Sequence, residues 1–590
     1  MKTSLLLLSA FALSARIDAA EPVEVGTGLD PFVRPSVLLN GRWDYIVDPQ
    51  DMGEKGGAGF YRNIRPDGTR LVQHDYDLAP KMDVPGDWNT QDEKLFFYEG
   101  MVWFRRTFDA RAKAGRRTIL HFGAVNYHAD VWLDGVKVGT HVGGFTPFAF
   151  DVTGLLTNDT HALVVRVDNT RSADAVPCAS FDWWNYGGIT RDVVLLDVPE
   201  AYVSEGVLQC ARGQRERLKG RVRVVPARAG VEASVEIPEL GVKAVSTTDA
   251  EGVAAFDIAA KPDLWRPGHP KRYAVTFAAA GDAFTDEIGF RTVETRGKSI
   301  LLNGEPVFLK GACAHDEVPG GGRVRSVDQI ANTVSWAKDL GCNYLRLAHY
   351  PHNPATVREL ERQGFMVWSE IPVYWHIAWT NAATYANAEN QLREMLRRDA
   401  NRAAVVIWSL SNETLWGEAR DRFLSNLSKT ARGLDDTRLI SMAMLHGDLK
   451  DGVIRVEDTV APWVDVVCFN EYLCWYWSDP ETAAKVRFDI PFDKPVIISE
   501  FGGGAIAGRH GPKTERWTEE FLAELYRANL EMLAKIDGLS GLSPWVLFDF
   551  RSPRRPCPGL QDYFNRKGLV SDKGVKKLAF DVVREFYKTR

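Results

Sequence analysis

Two glutamates stand directly after apolar segments in the second half of the chain. Val405–Ser411 precedes Asn412 and Glu413, and Pro495–Ser499 precedes Glu500. Both segments have the β-branched and aromatic composition of buried strands, and neither glutamate has a Lys or Arg close to it in the sequence. Burying a carboxylate at the end of a strand, away from water and without a partner, costs free energy. Each glutamate is therefore predicted to do chemistry in a cavity or to form a structural salt bridge.

Two carboxyl groups that face one cavity can hydrolyse a glycosidic bond. One gives a proton to the leaving oxygen, and the other attacks the anomeric carbon. A separation of about 5 Å between them favours a covalent intermediate and retention, whereas roughly 6.5–9.5 Å leaves room for water and inversion. An acid that works near neutral pH needs a raised pKa, which burial and a second negative charge can supply. Asn412 is suitably placed beside Glu413 to hydrogen-bond the sugar 2-hydroxyl.

The pattern after about Thr295 supplies a scaffold for such a pair. Apolar strands alternate with amphipathic helices in eight units, from a strand at Val307–Ala312 to one at Leu542–Phe548. This alternation predicts a (β/α)₈ TIM barrel over residues 296–590, with an active site at the carboxyl ends of the strands. Glu413 and Glu500 follow the fourth and seventh predicted strands, so we expect them to face the same cavity.

The first half of the chain has the pattern of β structure. Short alternating segments separated by Gly, Asn and Asp predict a jelly-roll-like β-sandwich over residues 21–200. A second series predicts an immunoglobulin-like β-sandwich over residues 201–295. Residues 1–20 contain Lys2, a short apolar stretch, and small residues at Ala19 and Ala20, which is typical of a signal peptide. We therefore expect a secreted or periplasmic protein.

The amino-acid composition of the chain limits the classes of binding partner that we expect. The 590 residues carry a net charge of −6, with 45% apolar residues and no basic tract, so nucleic acid is not an expected partner. No segment after the leader is long and apolar enough to predict a membrane span. No metal-ligand cluster is visible, and the hydrolysis needs no cofactor. The expected partner is a carbohydrate substrate, and homo-oligomer formation stays open.

Seven short motifs are distributed over both halves of the chain: Asn412-Glu413, Ser499–Gly502, Leu39–Trp43, Val84–Asn89, Trp132–Gly135, Leu302–Pro306 and Arg346–Pro351. Together they resemble glycoside hydrolase family 2 over nearly the whole mature chain. The resemblance implies that Glu413 is the acid/base, that Glu500 is the nucleophile, and that the outcome is retention.

Three further motifs resemble the β-glucuronidase branch of the family. In Asn565-Arg566-Lys567-Gly568, the Asn-x-Lys pair implies binding of the sugar carboxylate, because an ammonium gives a point charge and an amide gives a neutral donor. Asp182, in an aromatic segment of the first sandwich, is implied to bind sugar hydroxyls. Tyr472 and Tyr476 are implied to hold the nucleophile and to line the carboxylate end, respectively.

Two more residues and one loop extend the resemblance. His315 and Trp545 match the family's sugar-contacting His and last-strand Trp, whose ring can stack on the apolar face of a pyranose. The segment Asp316–Ser326 is short and rich in Gly. It is expected to leave the site open to the ends of oligosaccharides.

The sequence departs from the β-glucuronidase pattern at Gln561. Familiar β-glucuronidases have an Arg at this place, four positions before the Asn of Asn-x-Lys. The candidates for its replacement, all in the same loop, are Arg551, Arg554 and Arg555.

The resemblance predicts an exo-acting enzyme that removes terminal β-D-glucuronic acid from glycans or conjugates by double displacement. A β-galactosidase or β-galacturonidase of the same family is the alternative, because glucose- and galactose-series acids differ only at C4 and Asn-x-Lys-Gly also occurs in relatives that take neutral sugars. Lys567 could also lie solvated on a surface loop. A non-catalytic sugar-binding protein is a third class, against which the two intact glutamates argue.

Overall fold

The computed structural model describes residues 20–55, 58–62 and 74–590. In these residues, two β-sandwich domains precede a closed barrel of parallel strands, so the predicted fold class is confirmed. The predicted signal peptide lies almost wholly outside the described residues and stays a prediction. No helix in the described part of the chain is long and apolar enough to cross a membrane.

The first domain has two large antiparallel sheets packed around a core of its own, and a short third sheet of Val125–Asn126 and Gly188–Ile189. In sheet order, the described strands of one are Glu21–Val23, Phe148–Asp151, Arg116–Phe122, Val193–Pro199 and Ser36–Leu38. Those of the other are Lys81–Val84, Gly41–Val47, Met101–Asp109, Thr160–Asp168, His128–Leu133 and Val136–Val142.

The second domain is a smaller sandwich with a separate core. The residues of strand Asp282–Ile288 alternate strictly between buried and exposed. Successive side chains of a strand point to opposite faces of the sheet, so this pattern buries one face in the sandwich core and leaves the other exposed. One sheet has strands Tyr202–Cys210, Arg217–Val225 and Val253–Ala259. The other has strands Val242–Thr247, Glu232–Ile237, Tyr273–Ala279 and Asp282–Ile288.

The barrel follows a small antiparallel sheet of Val293–Arg296, Ser299–Leu302 and Glu305–Pro306. Its first strand consists of two pieces, Leu309–Lys310 and Cys313–Ala314. The first piece pairs with the last strand and the second piece with the second strand, which closes the barrel. Strands two to eight are Tyr344–Leu347, Met366–Glu370, Val405–Asn412, Leu439–Met444, Val467–Glu471, Val496–Phe501 and Leu539–Pro544.

The helices of the barrel vary in length. After the fifth strand there is only a single 3₁₀ turn, Ala461–Trp463, preceded by the two short strands Leu449–Lys450 and Val453–Arg455. The α-helices that follow the other strands are Val327–Leu340, Pro354–Arg362, Ala382–Arg398, Glu418–Leu434, Pro480–Ala483, Glu519–Leu533 and Leu578–Lys588.

The last strand differs from its predicted bounds of Leu542–Phe548, because it spans Leu539–Pro544. Pro544 has no amide hydrogen, so the regular ladder is interrupted there. Beyond it, the Trp545 N–H donates to the Phe501 carbonyl at 2.8 Å and the Leu547 N–H to that of Cys313 at 2.9 Å. These bonds place Trp545 beside the end of the seventh strand.

The first sandwich is tied to the top of the barrel by buried polar contacts. The Arg191 guanidinium donates to the carbonyls of Phe145 and Pro351, at 2.6 and 2.8 Å, and lies 3.3 Å from Asp316. The Trp184 N–H donates to the Arg551 carbonyl at 3.0 Å. The segment that carries Asp182 is therefore held against the barrel.

Candidate active site

A cavity of about 410 Å³ opens at the carboxyl ends of the barrel strands, and both predicted glutamates line it. The side chains around it come from the first sandwich and from the loops after most of the barrel strands. They are Asp182, Tyr374, Trp375, His376, Glu413, Leu415, Leu445, His446, Asn470, Tyr472, Tyr476, Trp477, Glu500, Trp545, Arg555 and Lys567.

Glu500 lies at the buried end of this cavity and is held by two donors. The Arg346 Nη1 donates to Oε1 at 2.7 Å, and the Tyr472 hydroxyl donates to Oε2 at 2.7 Å. His349 Nε2 is 3.8 Å from Oε1. Burial raises the pKa of Glu500 above its usual value; Arg346 opposes this rise, and the neighbouring Glu413 adds to it. The two carboxylates are thus electrostatically coupled across one pocket.

Arg346 is completely buried and connects four barrel strands. Besides Glu500, its guanidinium donates to Glu370 on the third strand at 3.0 Å and to the Asn412 side-chain oxygen on the fourth at 2.8 Å. Burial alone would raise the pKa of Glu370, but Arg346 and His349 hold it at about 2. Arg346 therefore neutralises two buried carboxylates and orients the nucleophile candidate.

Glu413 sits nearer the mouth of the pocket and is half-buried. Its Oε2 accepts a hydrogen bond of 2.7 Å from the Trp375 indole, and its backbone N–H donates to the Ala443 carbonyl at 2.8 Å. Its φ of 50° lies in the left-handed region, which is sparsely populated for residues other than glycine. Such strain concentrates at functional sites.

Asn412 lies beside the pocket rather than in its lining. Its side-chain oxygen accepts from Arg346 and, at 3.2 Å, from Asn470, so the amide orientation is determined. Its Nδ2 is buried and has no hydrogen-bond partner among the described residues. The Asn412 side chain thus retains an unused NH₂ group.

Lys567 forms the cationic end of the cavity. Its side chain is only 4% exposed, and Nζ donates to the Tyr476 hydroxyl at 2.9 Å. The same ammonium lies 5.3 Å from the centre of the Tyr472 ring. Among the described residues, no carboxylate lies within ion-pair distance of Lys567. A buried ammonium without an anionic partner is costly, so this end of the pocket is suited to an anion.

Asp182 reaches the cavity from the first sandwich and is fixed by the last barrel loop. It accepts from the Ser552 hydroxyl at 2.5 Å, from the Arg555 guanidinium, and from Asn565 Nδ2 at 3.3 Å. Asn565 itself does not line the pocket; its side-chain oxygen accepts from the Lys567 N–H at 3.2 Å. Asn565 thus links Asp182 to the lysine.

Trp545 and His315, the two ring-bearing candidates that follow the last and the first barrel strand, differ in their position relative to the cavity. Trp545 lines the cavity, and its ring stacks on His349 with centroids 4.8 Å apart. His315 does not line it but packs edge-on against Trp545, and its Nδ1 lies 3.0 Å from the Tyr350 hydroxyl. Burial lowers the pKa of His315 well below its usual value, so the imidazole is neutral.

Of the three arginines considered for the place of Gln561, Arg555 alone lines the cavity. Its guanidinium pairs with Asp182 and also lies against the Tyr476 hydroxyl, the group that Lys567 contacts. Arg551 lies between the rings of Phe96 and Phe564, and Arg554 covers the Trp375 ring and donates to Ser180.

The sequence left open whether Glu500 works in a cavity or forms a salt bridge, and the structure shows both, because Glu500 lines the cavity and pairs with Arg346. Arg346 lies 154 residues away in sequence and reaches Glu500 only across the barrel. Its place in the second-strand motif was the available signal. The sequence also left Trp375, His376 and His446 unassigned, because each stands in a loop without a distinctive pattern.

No three of the His, Cys, Asp and Glu side chains in the described ranges are grouped so that they could hold a metal ion. What the cavity offers is two carboxyl groups, a cationic end and aromatic walls. This arrangement on a TIM barrel is that of a glycoside hydrolase.

Two family models match the chain. The sugar binding domain of glycosyl hydrolases family 2 matches residues 38–199, and the TIM barrel domain of the same family matches residues 293–529. The chain belongs to glycoside hydrolase family 2 and is a glycoside hydrolase.

Relatives in this family cover most of the chain. It is 27% identical to a β-glucuronidase of Paenibacillus borealis over 610 residues, which cover 94% of this chain and 96% of that protein. A relative from Formosa agariphila is 26% identical over 573 residues, which are 86% of this chain and 66% of that protein.

Solved structures show the same architecture. A β-glucuronidase of an uncultured Clostridium species superposes with a TM-score of 0.81 at 25% identity, covering 95% of this chain and 99% of that one. A family 2 β-galacturonidase from Eisenbergiella tayi superposes with a TM-score of 0.79 at 26% identity, covering 96% and 98%.

Proposed function

We propose that this glycoside hydrolase is a retaining exo-β-glucuronidase, which removes terminal β-D-glucuronic acid from glycans or conjugates. The observation that carries the proposal is the buried Lys567 ammonium, which faces the cavity of Glu413 and Glu500 without a carboxylate partner among the described residues. The carboxylate of a uronic acid is the anion that would neutralise it.

Two neighbours strengthen this assignment of the anionic subsite. The Tyr476 hydroxyl lies between Lys567 and Arg555, so two cations converge on one phenol oxygen. Arg555 is already paired with Asp182, which leaves the lysine as the unneutralised charge. A carboxylate bound beside Tyr476 would gain charge-assisted hydrogen bonds from these cations.

The proposed roles of the glutamates follow from their different surroundings. Glu500 accepts from Arg346 and Tyr472, which favour its ionised form and aim it as the nucleophile. Its carboxylate forms a bond to the anomeric carbon, while protonated Glu413 gives its proton to the departing glycosidic oxygen. Glu413 then takes a proton from a water that attacks the anomeric carbon, and Glu500 is released as a carboxylate. The unused Nδ2 of Asn412 is the proposed donor to the 2-hydroxyl.

The relatives support the same sugar. The Paenibacillus borealis and Clostridium proteins are both named β-glucuronidases and align over more than nine tenths of this chain.

A β-galacturonidase is the second candidate. The Eisenbergiella tayi structure bears that name and has the same fold at 26% identity. Lys567 would bind the carboxylate of either acid, because the two sugars differ only in the orientation of the C4 hydroxyl.

A panel of p-nitrophenyl β-glycosides tests the proposal. We expect the glucuronide to give the highest kcat/KM, ahead of the galacturonide and the galactoside. Glu500→Ala is the matched control and should abolish turnover. Faster hydrolysis of the galactoside would defeat the acid-sugar assignment, and unchanged turnover by Glu500→Ala would defeat the catalytic one. Proton NMR of the anomer first released in the reaction checks retention.

We also propose export, on the basis of Lys2 and the apolar stretch that follows it. Expression of the full chain in a bacterial host, followed by N-terminal sequencing of the periplasmic fraction, tests this. A mature chain that begins near residue 21 is expected, and an uncleaved chain retained in the cytoplasm would contradict it.

A further inference from the structure

The rim of the pocket next to Glu413 differs in chemistry from its floor. The floor carries the buried charges of Glu500 and Lys567. At the rim, Leu415 is 60% exposed, Tyr476 53% and Trp477 44%, and all three line the cavity. Large exposed apolar side chains gathered around one opening indicate a surface that contacts a ligand.

The position of this rim identifies the part of the substrate that it meets. Leu415 follows Glu413 by two residues, and Glu413 is the proposed donor of the proton to the leaving oxygen. Lys567, at the buried end, would bind the uronate. The group beside Glu413 on the exposed side is therefore the aglycone.

The Trp477 indole is held in place rather than free. The Trp477 backbone carbonyl accepts from the Cys474 N–H at 2.8 Å. The His446 ring packs edge-on against the indole, with ring centroids 5.8 Å apart and planes at 83°. His446 is fixed in turn, because its Nδ1 lies 2.7 Å from the Gly447 carbonyl and therefore carries the ring proton. Burial lowers the pKa of His446, so the imidazole that supports the indole is neutral.

We propose that Leu415, His446 and Trp477 form a subsite for a neutral pyranose, the first sugar of an oligosaccharide capped by the uronic acid. This inference rests on the proposed function and names its substrate class. A pyranose can lay its C–H face on the Trp477 indole, while its hydroxyls meet the neutral His446.

Glu413, two residues before Leu415, is the charged group next to this subsite. The cations of the lining, Lys567 and Arg555, meet instead at the Tyr476 hydroxyl on the proposed uronate side. A neutral sugar therefore suits the subsite better than an anionic one.

The experiment compares two substrates with the same glycone. The first substrate, β-D-glucuronosyl fluoride, has no aglycone ring. The second is a β-D-glucuronosyl disaccharide whose neutral reducing-end sugar fills the subsite. Its linkage is the isomer that the wild type cleaves fastest. We expect Trp477→Ala to lower the disaccharide-to-fluoride ratio of kcat/KM about tenfold, mainly through KM, and Leu415→Ala to lower it less. Trp477→Phe should restore most of the ratio.

Trp416→Ala is the matched control, because Trp416 is also half exposed but does not line the cavity. It should leave the ratio at the wild-type value. An unchanged ratio in Trp477→Ala would overturn the subsite, and so would a wild type that cleaves the fluoride but no disaccharide. A larger loss on p-nitrophenyl glucuronide than on the disaccharide would assign the rim to flat aryl groups instead. If the wild type cleaves neither glucuronosyl substrate, the proposed function itself fails.

Discussion

Arg346 and Glu500 form a buried ion pair across the barrel, with Nη1 2.7 Å from Oε1. The guanidinium comes from the second strand and the carboxylate from the seventh, and neither is exposed to more than a few per cent. Because Arg346 also pairs with Glu370, one cation serves two buried carboxylates. The ionised state of the nucleophile candidate therefore depends on a residue that does not line the pocket.

Replacing Arg346 should therefore impair turnover more than binding. In Arg346→Gln, Glu500 loses its charged partner, its pKa rises further, and less of the carboxylate is ionised at neutral pH. We expect kcat for the glucuronide to fall at least about 100-fold with a smaller change in KM, and the acid limb of the kcat profile to move to higher pH. Steady-state kinetics across pH measure both effects.

Arg346→Lys is the matched variant, since it keeps a charge but cannot bridge the two carboxylates. It should recover part of kcat. A thermal melt must show that both variants fold, because Glu370 also loses a partner. An Arg346→Gln enzyme with wild-type kcat and an unmoved acid limb would contradict the orienting role.

The pH dependence of the wild type should show the raised pKa of Glu500. The nucleophile works only when ionised, so activity falls as pH decreases through its pKa. Since that pKa lies above the ordinary value of 4.5, we expect the acid limb of kcat/KM above pH 4.5.

Glu413→Gln isolates the nucleophile in this measurement. With β-D-glucuronosyl fluoride, whose departure needs no proton, this variant should retain the acid limb of kcat/KM that the wild type shows. An acid limb below pH 4.5, or one that disappears in Glu413→Gln, would count against the assignment of that limb to Glu500.

The sequence was sufficient to predict the two strand-end glutamates and the barrel, because strand and helix periodicity is local. It was also sufficient to bring Asp182, Tyr472, Tyr476 and Lys567 forward as candidates through the family motifs. The structure places all four in the lining of one cavity, together with Trp545.

What the sequence could not predict depends on contacts between distant segments. Arg346 meets Glu500 across the barrel, and the choice of Arg555 over Arg551 and Arg554 depends on how the last loop folds against the first sandwich. The bounds of the eighth strand were missed for a local reason, because the apolar residues after Pro544 continue the sequence pattern while the missing amide hydrogen interrupts the regular ladder.

Lys567 offers a direct test of acid-sugar recognition. Lys567→Met keeps much of the side-chain volume but removes the charge, so a bound uronate would lose a charge-assisted contact worth about 1.5–3 kcal/mol. We expect kcat/KM for the glucuronide to fall about 10- to 100-fold. The inhibition constant of a neutral sugar-like inhibitor should change far less.

The comparison of these two measurements decides the role of the lysine. Tyr476→Phe is the companion variant, because it removes only the hydroxyl that Lys567 contacts at 2.9 Å, and it should cause a smaller loss of the same kind. Equal losses for the glucuronide and the neutral inhibitor in Lys567→Met would instead assign Lys567 to the architecture of the pocket.

Glu471 should make the protein less stable as pH rises. It is completely buried at the end of the sixth strand, and its Oε2 lies 3.4 Å from Nε2 of the neutral His446 without a hydrogen bond. Burial raises the pKa of Glu471 from 4.5 to about 8. The folded state therefore keeps a proton that the unfolded chain releases near pH 4.5. Its contribution to the free energy of unfolding is fully present below that pH and decreases by about 1.4 kcal/mol per pH unit until the folded-state pKa is reached.

Glu471→Gln removes this proton linkage and keeps the size and the neutral form of the side chain. We expect the variant to gain stability relative to the wild type as pH rises from 5 to 8, measured by urea unfolding at each pH. Glu531→Gln, at an exposed position on a barrel helix, is the matched control and should show little change with pH. A difference between Glu471→Gln and wild type that is the same at pH 5 and pH 8 would mean that Glu471 titrates alike in the folded and unfolded states.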